Sequence, residues 1–216
     1  MYKGIEMTVE LYCGDCLDIL PTLEAGQYDA VIADLPYPKK YLPLYEYVAR
    51  ESARLLKSGG SLLLIVPHYA VPQVVTGVSQ YLKWRWIHCM WQETGAHPRM
   101  AMGIEVMWKP IGWWVKDKWP NGRGFVRDGF ENEPTNKLHY EWEQSMTWAD
   151  FCLGMVPDGG NVLDPTMGVG TVGLSAVQSI PGFSFTGIEI DEERFEIAKS
   201  RIEKAQLEMV QGKFGG

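Results

Sequence analysis

Asp34-Leu35-Pro36-Tyr37 brings a carboxylate, a constrained turn and an aromatic ring together at the end of an apolar run, Tyr28-Asp29-Ala30-Val31-Ile32-Ala33. The run reads as a short buried strand, and open α/β sheets bind ligands outside the carboxyl ends of their strands. A carboxylate and a backbone carbonyl accept hydrogen bonds, and a tyrosine ring offers a flat face. The combination suits holding a flat heterocycle whose exocyclic amine donates to fixed acceptors. A strand ending in an Asx turn and a proline gives the same four residues with no site at all.

A second constellation begins at Asp164. Gly168-x-Gly170-x-x-Gly173 follows an apolar strand and opens a helix, and an acid, Glu189, stands about twenty residues further on. Glycines let the backbone approach a ligand closely, and the acid can accept from ribose hydroxyls. Both nicotinamide dinucleotides and S-adenosyl-L-methionine need such a nucleoside pocket, so the glycines do not choose between them. Asp164 favours the sulfonium cofactor, because a carboxylate at the strand tip repels a diphosphate and tolerates a cation. Little chain follows Gly173, which leads us to expect any catalytic part upstream. A plain Gly-rich strand-helix turn is the competing reading.

Cys13-Gly14-Asp15-Cys16 has the spacing of a redox dithiol but lacks the surrounding thioredoxin-like composition. Cys89 and Cys152 are isolated and the four histidines have no ligand spacing, so no metal is expected. Four cysteines in 216 residues make no disulfide framework, and with no signal-like N-terminus a cytoplasmic protein is expected. No apolar run reaches the roughly 18 residues of a membrane span. The net charge of −7 argues against nucleic acid as a partner, yet its distribution does not. Residues 83–137 carry nine Lys or Arg against six Asp or Glu, together with seven of the nine tryptophans. A basic, aromatic-rich stretch can follow a phosphate backbone and stack on bases; it can also be a tryptophan packing layer.

The elements that must position these residues follow from periodicity. Strands are expected at 8–12, 28–33, 61–66 and 84–91, with helices at 17–23, 42–57 and 71–82, which predicts a parallel sheet covered on both faces. Ser58-Gly59-Gly60 reads as the stop of the second helix. Regularity breaks over 92–137, where one strand pair, Ile104–Trp108 and Gly112–Val115, is expected around a Lys109-Pro110-Ile111 turn. A helix at 145–155, a strand at 161–164, a helix to Gln178, a strand at 183–190 and a helix at 192–209 complete the chain.

These residues resemble the amino-group DNA methyltransferases, which modify adenine N6 or cytosine N4. Asp34-Leu35-Pro36-Tyr37 is similar to their Asp-Pro-Pro-Tyr catalytic motif, and Asp164-Pro165-Thr166-Met167-Gly168-Val169-Gly170-Thr171 to their Asp-Pro-Phe-x-Gly-x-Gly-Thr cofactor loop. Gly14-Asp15-Cys16 and Gly187-Ile188-Glu189 match recurrent patterns as well. His139 and Glu143-Gln144-Ser145 resemble the segment that contacts the methionine end of the cofactor. The motif order, catalytic before cofactor, is that of the permuted, β-type subgroup. The resemblance covers most of 8–91 and 139–205.

The resemblance implies a Rossmann-like, circularly permuted S-adenosylmethionine-dependent methyltransferase sheet. One catalytic and cofactor-binding domain would comprise 1–91 and 138–216, with 92–137 an inserted target-recognition region. It implies direct transfer of a methyl group to an amine of a base flipped out of double-stranded DNA. Asp34 and the Leu35 carbonyl would accept from the amine, Pro36 would fix the turn and Tyr37 would stack on the base. Asp15 and Cys16 would meet the adenine end of S-adenosyl-L-methionine and Glu189 its ribose. Asp164, Pro165, Thr166, Gly168, Gly170 and Thr171 would line the rest of its pocket. Members of the subgroup often pair, which adds a homodimer to the expected partners.

Aspartate at the head of the catalytic motif leans toward adenine, since the cytosine-N4 enzymes more often carry serine. Two departures stand out: Leu35 replaces a proline and Thr166 a phenylalanine. C5-cytosine chemistry is disfavoured because no cysteine follows a proline. An N4-cytosine or RNA amino-methyltransferase, a catalytically weakened DNA-binding relative and a nicotinamide-dependent reductase remain as alternatives.

Overall fold

The structure, a computed structural model, describes residues 7–92, 99–100, 103–119, 125–133, 143–180 and 182–212, with 99–100 described by backbone alone. Strand β1 (Val9–Cys13) leads into a four-residue helix, α1 (Cys16–Ile19), whose N-cap Asp15 accepts from the Leu17 N–H at 2.8 Å. Next come β2 (Tyr28–Ala33), α2 (Leu42–Leu55), β3 (Leu56–Ile65), α3 (Val71–Val78) and β4 (Lys83–Gln92). Two short strands, β5 (Arg99–Met100) and β6 (Ile104–Glu105), precede β7 (Trp108–Val115) and β8 (Gly129–Asn132). The last part holds α4 (Met146–Leu153), β9 (Asn161–Asp164), α5 (Thr171–Gln178), β10 (Ser184–Glu189) and α6 (Glu192–Val210).

Eight strands form one sheet in the order β1-β10-β9-β2-β3-β7-β4-β8. Every neighbouring pair is parallel except those involving β7, which runs antiparallel to both β3 and β4. Alternation along the central strands sends side chains to two separate cores. Ala30, Ile32, Leu63 and Ile65 pack on one face with Trp148, Val172, Ala176, Ala198 and Ile202 from α4, α5 and α6. Val31, Ala33, Leu62 and Leu64 pack on the other with Cys16, Tyr45, Val48, Val74 and Val78 from α1, α2 and α3. Strands buried on both faces read as continuous apolar runs, and these do.

The strand order reverses direction between β9 and β2. From β9 the chain passes through α5 to β10 on one side; from β2 it passes through α2 to β3 on the other. A crevice opens at such a switch point, at the carboxyl ends of the two strands. Asp164 ends β9 and Asp34 follows β2, so both sequence motifs arrive there.

Three local expectations change. No strand pair turns at Lys109-Pro110-Ile111; these residues lie inside β7, and Ile104–Glu105 pairs instead with Arg99–Met100. A proline is tolerated in this strand because it lacks only a donor, and the Pro110 carbonyl still accepts from the Val66 N–H at 2.9 Å. The parallel sheet is therefore mixed, and β7 belongs to it. Ser58-Gly59-Gly60 does not stop α2, since β3 begins directly at Leu56. The glycines serve a bulge: Tyr28 pairs with Leu56 but Ala30 already with Ser61. A Cβ on Gly60 would come within 2.9 Å of the Lys57 carbonyl oxygen, and Gly59 has φ +85°.

Among the described residues no helix is long and apolar enough to cross a membrane.

Candidate functional site

Asp34 sits where β2 stops, and its two carboxylate oxygens differ. Oδ2 accepts from the Gln144 side-chain amide at 2.5 Å. Oδ1 is out of contact with solvent and has no hydrogen-bond partner among the described residues, although the residue as a whole is half open. Burial raises the Asp34 pKa above the usual carboxylate range, with Lys109 pulling the other way. The Tyr37 hydroxyl lies near this carboxylate, buried and likewise outside hydrogen-bond geometry with any described group.

The loop that carries Tyr37 is braced from two sides. The Tyr69 hydroxyl donates to the Tyr37 carbonyl. The Tyr45 hydroxyl donates to the Leu35 carbonyl at 3.3 Å, which leaves that oxygen a second lone pair. The Leu35 side chain fills the core under α2, 1% exposed, so hydrophobic packing holds this position where the related motif has a proline ring. Pro36 is exposed at the turn.

The cofactor-type loop stands against this loop. The Thr166 hydroxyl reaches the Asp34 carbonyl at 3.5 Å, and its N–H donates to Asp164 Oδ1 at 3.0 Å. Asp164 is buried, and its pKa rises to about 8, chiefly through desolvation against the Thr166 N–H and further through Glu189 and Asp34. Pro165 is buried beside it. Gly168 has φ +55° and a Cβ there would meet nothing within 4 Å, so its outer side is open space. Gly170, at φ +81°, caps α5, and the Thr171 hydroxyl reaches the Gln144 carbonyl at 3.5 Å.

Glu189 closes the far end. Its Oε2 accepts from the Gly168 N–H and its Oε1 from the Asp191 N–H, both at 2.9 Å, and Arg194 lies 3.8 Å away. The Gly14 N–H donates to the Glu189 carbonyl at 2.9 Å, which places Asp15 and Cys16 beside it. Asp15 caps α1 through one oxygen, and the buried Cys16 thiol is pushed up to about 12 by desolvation. All four cysteines are free, and so protonated a thiol makes a poor redox partner.

The structure thus gathers Asp34, Leu35, Tyr37, Asp164, Thr166, Gly168, Gly170, Thr171 and Glu189 along one crevice, with Asp15 and Cys16 at its end. Lys109, Gln144 and Arg201 were not read from the sequence as site residues. Arg201 on α6 donates to the Val169 carbonyl at 2.6 Å and pairs with Glu143 at 2.8 Å, tying the glycine loop to the Gln144 segment. Only the similarity of 143–145 to a cofactor-contacting segment hinted at Gln144, and nothing hinted at Lys109. His139 lies outside the described residues.

No protein-family model and no curated relative matches the chain. Solved structures do match. One of M1.HpyAVI, described as a complex with SAM, superposes with a TM-score of 0.74 at 21% identity, covering 90% of this chain and 99% of that one. A DNA modification methylase of Thermus thermophilus, complexed with S-adenosyl-L-methionine, matches with a TM-score of 0.75 at 19% identity over 92% and 94%. The chain has the fold of the DNA methyltransferases. The PvuII DNA methyltransferase, described as cytosine-N4-specific, also matches, with a TM-score of 0.76 at 14% identity over 95% and 94%. On this methyltransferase sheet, the Asp34 loop and the Asp164 loop occupy neighbouring strand ends.

Proposed function

We propose that the chain transfers a methyl group from S-adenosyl-L-methionine to the exocyclic amine of a base turned out of double-stranded DNA, with adenine N6 the favoured target. One observation carries the reading: the two motif loops touch through Thr166 and Asp34, so that a donor and an acceptor held by them would face each other.

The residues present fit the cofactor. Gly168 leaves open space on the side where a ligand would lie, and Glu189 and Asp15 each keep carboxylate lone pairs beyond those held by backbone N–H groups. Asp164 offers a buried negative charge that a nearby cation would favour. When bound, the cofactor supplies an electrophilic methyl group. The chain's own part is alignment. An aromatic amine is a poor nucleophile because its lone pair is delocalised into the ring. Asp34 Oδ1 and the Leu35 carbonyl accept its two N–H bonds, which favours a pyramidal nitrogen with the lone pair directed at the methyl donor. Tyr37 stacks on the base, and well-oriented reactants of this kind lose several kcal/mol of barrier.

Target recognition falls to the parts of 92–137 outside β7, and the motif order is that of the permuted subgroup. The adenine preference rests on Asp34 heading its motif. Cytosine N4 is the second reading, favoured by the likeness to the PvuII enzyme.

Asp34→Ala is expected to abolish transfer of labelled methyl to duplex DNA while S-adenosyl-L-methionine still raises the Tm. Transfer that survives Asp34→Ala overturns the assigned chemistry. Modified-base sequencing of DNA from cells expressing the protein reads out adenine or cytosine directly.

A further inference from the structure

Asp34 is faced by Lys109 from β7, Gln144 from the segment before α4, Tyr37 from its own loop, Tyr45 from α2 and Asp164 from β9. Lys109 is the cation among them. Its Nζ donates to Gln144 Oε1 at 3.3 Å, and Gln144 Nε2 donates to Asp34 Oδ2 at 2.5 Å. An ammonium has no acceptor, so its contact with the amide selects one orientation: oxygen toward Lys109, nitrogen toward Asp34. The flipped amide would set oxygen against carboxylate. Lys109 also lies 5.9 Å from the centre of the Tyr37 ring.

The consequence falls on Asp34. With Oδ2 held by Gln144, the oxygen left to accept is Oδ1, which is buried and unpartnered among the described residues. A buried carboxylate oxygen without a donor is costly, and an incoming N–H relieves that cost. We propose that Lys109 and Gln144 are positioning residues for the methyl-accepting amine: Lys109 fixes the Gln144 amide, and Gln144 occupies one oxygen of Asp34 so that the other alone is presented to the base. This rests on the methyl-transfer reading and adds to it a specific relay across three elements. The relay also assigns a role to charge. Lys109 keeps a desolvated Asp34 in its accepting, ionised form, and an unionised carboxyl accepts less well.

The test is single-turnover methyl transfer to duplex DNA as a function of pH, for wild type, Lys109→Met, Lys109→Arg and Gln144→Glu. Cofactor and DNA affinities are measured in parallel. Lys109→Met is expected to slow transfer at saturating DNA by about tenfold to a hundredfold, the scale of a small misplacement of a reacting group. Its acidic limb should move to higher pH, because Asp34 has lost the charge that opposes its burial. Lys109→Arg should restore most of the rate and the limb. Gln144→Glu, which sets a second carboxylate against Asp34, should shift the limb upward even if Lys109→Met does not fold. A Lys109→Met protein that binds DNA more weakly, yet keeps its saturated rate and its pH profile, makes Lys109 a phosphate contact and overturns the relay. An active wild type with unmoved variants defeats this inference alone. A wild type that transfers no methyl group defeats the functional reading together with it.

Discussion

Asp164 and Tyr37 show how much one buried polar group changes at this site. Asp164 ends β9 in the core with its pKa raised to about 8 from an ordinary value of 3.8. Between those values the folded chain holds a proton that the unfolded chain has released, so stability falls as pH rises from about 4 to about 8. Calorimetry across this window should show the Tm of wild type dropping with pH more steeply than that of Asp164→Asn, which has no such proton. Saturating S-adenosyl-L-methionine should flatten the wild-type slope, because a sulfonium cation favours the ionised carboxylate. An equal slope for both proteins would remove Asp164 from this role. The Tyr37 hydroxyl, in contrast, is buried and unpartnered among the described residues. Removing a polar atom that has no partner costs little, so Tyr37→Phe should keep its Tm and most of its transfer rate. Tyr37→Ala removes the ring and should lose base stacking worth about 1–3 kcal/mol, read as weaker binding of DNA carrying an unpaired target base.

At the scale of elements, sequence spacing was informative where one segment carries the whole reason. The strand-loop-helix from Asn161 to Gln178 was legible because glycines, strand and helix are contiguous, and α5 ends at the expected residue. The glycines of that loop divide by what surrounds them. A Cβ on Gly173 would come within 2.5 Å of the Phe185 ring and 2.6 Å of Ile202, whereas one on Gly168 would meet open space. Gly173→Ala should therefore lower stability by about 1–3 kcal/mol through overpacking between α5, β10 and α6. Gly168→Ala meets only the cost of a left-handed backbone, about 1–2 kcal/mol, and should in addition weaken cofactor binding by filling the ligand side. Titration calorimetry beside thermal unfolding separates the two. β7 was misread for the opposite reason. Pro110 and Gly112 look like turn residues within their own segment. What makes them strand is β3 and β4 on either side, and Gly112 is required because the Trp114 ring covers it.

The relations that cross the whole molecule were the least legible, because they join residues that share no local pattern. Asp34 and Gln144 are 110 positions apart and meet only when β2, β9 and α4 are assembled. Net charge misled in the same way, since −7 describes the total and says nothing of Lys109 beside the crevice. Arg201 is the clearest case. From the middle of α6, near the end of the chain, it grips the Val169 carbonyl in the glycine loop and Glu143 in the segment that presents Gln144. Its side chain is 16% exposed and that of Glu143 10%, so the pair is largely desolvated. Removing one partner from a buried pair leaves the other uncompensated, at a cost of about 3–5 kcal/mol. Arg201→Met should thus lower the Tm markedly. It should also loosen both ends of the crevice at once, weakening cofactor binding and slowing transfer even at saturating cofactor. Arg201→Met combined with Glu143→Gln should recover much of the stability, because no unpaired charge remains, yet leave transfer slow, because nothing then fixes Gln144 against Asp34. Recovery of the rate along with the Tm would show that α6 contributes only stability to this site.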